Sequence, residues 1–176
     1  SQLDYVHQRG GGAMKLFTIG HGNADAETFV ALLQRHAIEL LVDTRSQPYS
    51  RFNPQFNREL LKQTISDAGI AYVFMGDTIG GRPVGEQFYF PSGKVDYDLL
   101  EQTEFYQVGI ARLLDIAADC RVAFMCSEMD YHHCHRYNLI TRTLIRRGIE
   151  VAHILHSSET VDSVAAEFEE AQPSLF

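Results

Sequence analysis

The stretch IELLVD, residues 38–43, decides how this chain is read, because four of its six positions are apolar, interrupted only by Glu39 and closed by a carboxylate at Asp43. A strand with one wet face alternates apolar and polar residues, whereas a near-continuous apolar run marks a strand covered on both faces, as in a parallel sheet between helical layers. The same grammar repeats outward from it. KLFTI (15–19), IAYVFM (70–75), RVAFMC (121–126) and EVAHIL (150–155) read as four further strands. Helical spacings fall between them. Asp25 and Glu27 open a helix with Phe29, Leu32, Leu33 and His36 along one stripe. Asn53-Pro54 predicts the start of a second, running through Leu60, Leu61 and Ile65 to a stop at Gly69. A third begins near Thr103 and carries Tyr106, Ile110, Leu113, Leu114 and Ala117. A fourth holds Leu139, Ile140, Thr143 and Leu144 and ends at Arg146-Arg147-Gly148. Val161, Val164, Ala165 and Phe168 predict a final amphipathic helix. The alternation implies an α/β fold: a mostly parallel sheet of five or slightly more strands with helices on both faces, a Rossmann-like three-layer sandwich with right-handed crossovers.

With 176 residues, 45% of them hydrophobic, the chain fills one core, so residues 14–176 are expected to form a single domain. The first thirteen, SQLDYVHQRGGGA, read as a tag remnant or loose leader outside that fold. A formal charge of -8 without any lysine- or arginine-rich run argues against sequence-independent binding to nucleic acid or to an anionic membrane, while leaving room for a local basic pocket. No segment approaches the roughly 20 apolar residues that cross a bilayer, and no secretory signal is recognisable, so a cytoplasmic location is expected. Three cysteines are an odd number, which fits buried, catalytic or metal-binding thiols better than a secreted disulfide scaffold.

Ligands of such sheets bind at the carboxyl ends of the strands, and that rule gathers the polar residues. Gly20-His21-Gly22 follows the first strand, Asp43-Thr44-Arg45 the second, Gly76 to Arg82 the third, Cys126 to Arg136 the fourth and His156 the fifth. All are expected on one edge. The glycine- and proline-rich stretch from Gly76 to Gly93 has no periodicity, and a loop that long inside a compact domain is often functional. The segment DTRSQPYSRFNPQFN (43–57) sets Arg45, Ser50, Arg51 and Asn53 beside Tyr49, Phe52 and Phe56, a combination suited to an anion and to stacking of a flat ring, or equally to an ordinary connection packed on the core.

CSEMDYHHCHR (126–136) concentrates the chemistry. Cys134 falls where a loop becomes a helix, so free backbone N–H groups and an adjacent arginine favour its thiolate. Cys126 is nucleophile, partner thiol or apolar filler. Glu128 offers a general acid or base, and Arg45 and Arg136 suit a planar anion. Cys126, Cys134, His132 and His133 also include zinc or iron ligand types, although no Cys-x2-Cys pair is present and the adjacent Cys134 and His135 point different ways. His132 and His133 read equally as solvated loop residues. A disulfide between Cys126 and Cys134 would in a reducing compartment be a redox event rather than a staple. Cys120 reads as a packing residue and His153 as a core histidine with its hydrogen bonds satisfied.

FTIGHGN, LVDTRSQPYSRFNPQF, GIAYVFMGDTIGG, and CSEMDYHHCHR followed by GIEVAHIL together resemble the successive blocks of the bacterial and archaeal family numbered 488 among domains of unknown function, from Lys15 to about Leu155. Its most specific marks fall on Cys126, Glu128, Cys134, His135 and Arg136, and its Thr-Ile-Gly-His block on Thr18 to His21. The resemblance implies an α/β fold with these blocks around a shared pocket, and no substrate.

Three functional expectations follow. The first is an enzyme, a cysteine- and carboxylate-assisted hydrolase or transferase acting on a small anionic, nucleotide-like or nucleic-acid-derived group. Cys126, Glu128, Cys134 and Asp43 would be its catalytic set; His21, Arg45, Arg51, His135 and Arg136 would hold the ligand, with no cofactor. The second is a zinc or iron protein using Cys126, Cys134 and a histidine. The third is a ligand-binding module in which nothing reacts.

Overall fold

A computed structural model describes residues 14–169; the leader expected over 1–13 lies outside the described residues. Five strands run parallel: β1 (Lys15–Gly20), β2 (Leu40–Asp43), β3 (Ala71–Phe74), β4 (Val122–Cys126) and β5 (Glu150–Ile154), with a short β6 (Thr160–Asp162) antiparallel at the edge. Their order is β3-β2-β4-β1-β5-β6. The expected α/β sandwich is therefore what the chain forms.

Residue parity builds the two cores. Phe17, Ile19, Leu41, Ala123, Met125, Ala152 and Ile154 face one side, where α1 (Ala26–Arg35) and α2 (Arg58–Asp67) bring Phe29, Leu33, Leu61 and Ile65. Leu16, Val42, Val122, Phe124 and Val151 face the other, against α4 (Glu104–Asp119) and α5 (Arg142–Arg146), which follow the short α3 (Tyr97–Glu101). The helices after β1 and β2 thus cover one face, and those after β3 and β4 the other. Loops leaving β1 and β4 diverge although the strands are neighbours, with Gly20 beside Cys126 in register. A crevice opens at such a reversal.

Four local expectations are corrected. Residues 161–168 do not form an amphipathic helix: a turn through Ser158, at φ 76°, reverses the chain, Val161 pairs with His153 as part of β6, and only Ala165–Phe168 winds into a 3-10 turn. Asn53-Pro54 opens a separate 3-10 turn (Pro54–Phe56), and α2 begins after Asn57. That offset rotates Leu60 outward, 53% exposed, while Leu61 is fully buried. The helix after β4 starts as a π-turn, Arg136–Thr141, before α5. No described helix is long and apolar enough to cross a membrane.

The exposure of this leucine pair sets an expected outcome. Leu61→Ala should lower the unfolding free energy by about 2–5 kcal/mol and Leu60→Ala by less than about 1 kcal/mol, as read from urea denaturation midpoints.

Candidate functional site

Parity also explains how the site is assembled. Thr18, Cys126 and His153 share the sheet face on which the π-turn packs, Thr18 lying in register with both Phe124 and His153. Arg136 enters there and is 1% exposed. Its Nε–H donates to Cys126 Sγ at 2.9 Å, Nη1 to Thr18 Oγ1 at 2.6 Å, and Nη2 to the carbonyls of Glu128 (2.9 Å) and Met129 (3.2 Å). Thr18 accepts from Arg136, so its own proton goes to His153 Nδ1 at 2.6 Å, which leaves His153 Nε2–H to donate to Ser163 Oγ at 2.7 Å. Tyr131 stacks on that ring with centroids 3.8 Å apart. Burial first, then the Arg136 charge, pushes His153 down to about 3. The satisfied core histidine read from the sequence is confirmed, and it positions Thr18 and through it Arg136.

Arg136 therefore does not do what its sequence context suggested. It is enclosed by its own loop rather than presented to a ligand. Burial pushes its guanidinium down to about 10, still charged at neutral pH. Among the described residues it forms no ion pair with any carboxylate. The Glu128 carbonyl that it grips crosses directly over Gly20, where a Cβ would fall 1.7 Å from the carbonyl oxygen. Only glycine lets the loop descend onto β1.

Cys134 lies beside Cys126, and the structure joins the two as a disulfide, with the Cα atoms 7.3 Å apart. The Arg136 backbone N–H donates to Cys134 Sγ at 3.3 Å. His135 Nε2 donates to the Thr44 carbonyl at 3.0 Å, which leaves Nδ1 as an acceptor 3.8 Å from Cys134 Sγ. Burial, reinforced by Arg136 and opposed by the Thr44 bond, pushes His135 down to about 4. The two sulfurs thus have different neighbours, a cation for Cys126 and a neutral imidazole for Cys134.

Asp43 is fully buried and saturated: Arg45 meets it with Nε (2.9 Å) and Nη2 (2.8 Å), and Tyr72 Oη donates at 2.6 Å. Its partner is Arg45, whose Nη1 is left beside His21 Nε2 at 3.5 Å. His21 Nδ1 donates to the Gly22 carbonyl at 2.7 Å, and its ring stacks on Phe56. Burial pushes His21 down to about 4, so Nε2 carries a lone pair.

One cavity of about 870 Å³ is lined among others by His21, Arg45, Arg82, Cys126, Glu128 and Cys134, while Asp43 and Arg136 lie outside its lining. Tyr49, Ser50, Asn53, Tyr97, His133 and His135 also line it, and His156 is bonded to the Gly20 carbonyl at 2.6 Å. Glu128 stands exposed at the rim with no hydrogen bond or ion pair to its carboxylate among the described residues. Arg51 does not line the cavity; it lies over the exposed Phe52 ring. His132 and His133 turn to Asp130 rather than to the sulfurs, and no three His, Cys, Asp or Glu residues among those described are gathered to hold a metal. Cys120 is half-buried against α4, its thiol donating to the Ile116 carbonyl at 3.4 Å. Sequence reasoning missed Thr18, Tyr72 and Arg82 as individual members. Thr18 and Tyr72 were hidden inside strands, and Thr18 was marked only as the first residue of the Thr-Ile-Gly-His block, without a role.

The buried histidines make stability depend on pH. A histidine whose folded value is depressed binds its proton more readily when unfolded, so acid favours unfolding. Stability should be full above about 6.5, the ordinary histidine value, and fall as pH drops toward about 4, at up to about 1.4 kcal/mol per pH unit for each histidine. Urea unfolding across this window should show His153→Asn losing one such increment of slope; an unchanged slope would contradict the buried neutral state.

No curated protein and no solved structure matches the chain. The family described as domain of unknown function DUF488 matches residues 25–143, which include β2 to β4, both site cysteines and both arginines paired above, and the chain belongs to that family.

Proposed function

We propose that this protein is a cysteine-dependent enzyme, a hydrolase or transferase whose nucleophile is the Cys126 thiolate and whose substrate presents a small anionic, nucleotide-like or nucleic-acid-derived group. One observation carries the reading: a fully buried Arg136 whose nearest candidate for a counter-charge is the Cys126 sulfur, 2.9 Å from Nε. An isolated charge in a protein interior costs several kcal/mol, and a paired one far less. In the reduced protein the alternative is a neutral thiol whose nearest acceptor, the Glu128 carbonyl at 3.7 Å, already accepts from Arg136. An anionic sulfur fits this environment better.

The remaining roles follow from placement. Arg45 and Arg82 give the cavity its positive side, and Tyr49 and Tyr97 offer ring faces, which supports an anion attached to a flat group. The volume lies within the roughly 300–1,000 Å³ usual for small-molecule sites. Glu128 is the group at the rim able to exchange a proton with a leaving atom, and neutral His21 can accept a hydrogen bond from the substrate. Asp43 acts by orienting Arg45. The chemistry is assigned to the chain's own side chains, and thiols of this kind suit a reducing compartment such as the cytoplasm.

Iodoacetamide labelling followed by peptide mapping tests the reading. Cys126 should be alkylated at about pH 6 within roughly twofold of its rate at about pH 9, Arg136→Met should slow the lower-pH reaction at least about tenfold, and nucleotides that occupy the cavity should protect. A Cys126 that gains reactivity with pH as a free thiol does, in a folded protein that no nucleotide protects, overturns the proposal.

A further inference from the structure

We propose that the electrophile met by Cys126 is a sulfur atom, and that Cys134 resolves the product, so that the site performs thiol–disulfide exchange on a small anionic disulfide. This rests on the reading of Cys126 as the nucleophile and names the chemistry that its neighbourhood favours. Hydrolysis of a Cys126 intermediate calls for a water at the reacting atom, and the position against Cys126 Sγ is occupied by a second sulfur. A thiol in contact with a nucleophilic thiolate intercepts whatever forms there, and with a mixed disulfide that interception is productive.

The two cysteines are unlike in the way the sequence of steps requires. Cys126 has the Arg136 Nε–H at 2.9 Å and acts as the attacking thiolate. Cys134 has an imidazole nitrogen, His135 Nδ1, at 3.8 Å, placed to take its proton. In the first step Cys126 S⁻ attacks one sulfur of R–S–S–R′, forming a Cys126–S–S–R bond as R′S⁻ leaves. In the second, Cys134 gives its proton to His135 and attacks the Cys126 sulfur, expelling RS⁻. His135, which burial keeps a weak base, returns the proton to that thiolate. Two electrons pass from the dithiol to the substrate, giving R′S⁻, RSH and a Cys126–Cys134 disulfide; two equivalents of a second low-molecular-weight thiol, R″SH, then reduce the pair through a mixed disulfide and leave as R″S–SR″. The structure holds the pair in the disulfide form that this second step produces, with the 127–133 loop between the two cysteines. That loop is held by Arg136 through the carbonyls of Glu128 and Met129, which couples its position to the charge on Cys126.

Substrate class follows from the cavity: Arg45 and Arg82 favour a disulfide that carries carboxylates or another anion over a neutral one.

The test is a single-turnover reaction of the reduced full chain with glutathione disulfide, followed by intact-mass and peptide analysis. Wild-type protein should end two hydrogen atoms lighter, with a Cys126–Cys134 bond and no retained glutathione. Cys134→Ser should stop as a stable glutathione adduct on Cys126, Cys126→Ser should leave Cys134 unmodified over the same interval, and neutral hydroxyethyl disulfide should react at least about tenfold more slowly. Wild-type protein that retains glutathione on Cys126 overturns the resolving step while leaving the thiolate reading intact. Attachment chiefly at Cys120 or Cys134, or equal rates with both disulfides, also overturns the inference. No reaction in a protein whose Cys126 still alkylates at low pH overturns the sulfur electrophile alone; no reaction together with ordinary alkylation overturns both readings. The wild-type outcome decides even where a variant fails to fold.

Discussion

A guanidinium buried without a carboxylate is the constraint on which this structure turns. Arg136 joins β1 through Thr18, β4 through Cys126 and the loop after β4 through the carbonyls of Glu128 and Met129. His153 on β5 enters at one remove, through Thr18. Three adjacent parallel strands and their shared ligand loop are thus organised around one cation. Such a group is costly unless every donor is used and its charge is answered. Each guanidinium nitrogen donates a hydrogen bond, the carboxylates of Asp130 and Glu128 act on the charge without forming an ion pair, and under the proposed function a Cys126 thiolate beside Nε would answer it directly.

The second arginine shows the contrast. Arg45 is neutralised within its own strand end by Asp43, itself clamped by Tyr72, so the carboxylate is spent on orientation and the remaining Nη1 is left for the cavity. One arginine is therefore enclosed against the Cys126 sulfur and the other borders the cavity. The histidines between them are kept neutral, His21 and His135 each donating one ring N–H to a carbonyl and keeping the other nitrogen as an acceptor. Positive charge, a cysteine pair and neutral acceptors then meet at the point where the chain reverses the side on which its helices pack.

Much of this could be read from the sequence, and the reasons are physical. Near-continuous apolar runs such as IELLVD and RVAFMC declare strands buried on both faces, and burial on both faces forces their polar residues to the ends. His21, Arg45, Cys126, Glu128 and Cys134 were found in that way. What failed was local geometry that a tertiary contact decides. Val161 to Phe168 has helical spacing, yet the open edge of β5 gives residues 160–162 a ladder of hydrogen bonds that outweighs propensity. Leu60 falls outside the buried stripe that Leu61 and Ile65 do form, because the helix begins after a separate 3-10 turn and not at Pro54. Arg136 was misread because its neighbours in sequence, Cys134 and His135, border the cavity, while the π-turn rotates it inward beneath them. Spacing shows that residues share an edge; it does not show which of two arginines points out.

The central claim, that the Cys126 sulfur carries the charge that answers Arg136, is tested most directly by the thiolate ultraviolet absorbance of the reduced protein at neutral pH, measured for Cys120→Ser and for Cys120→Ser with Cys126→Ser. The account predicts close to one thiolate per chain in the first and close to none in the second. Equal absorbance in the two would contradict it, leaving a buried arginine beside a neutral thiol.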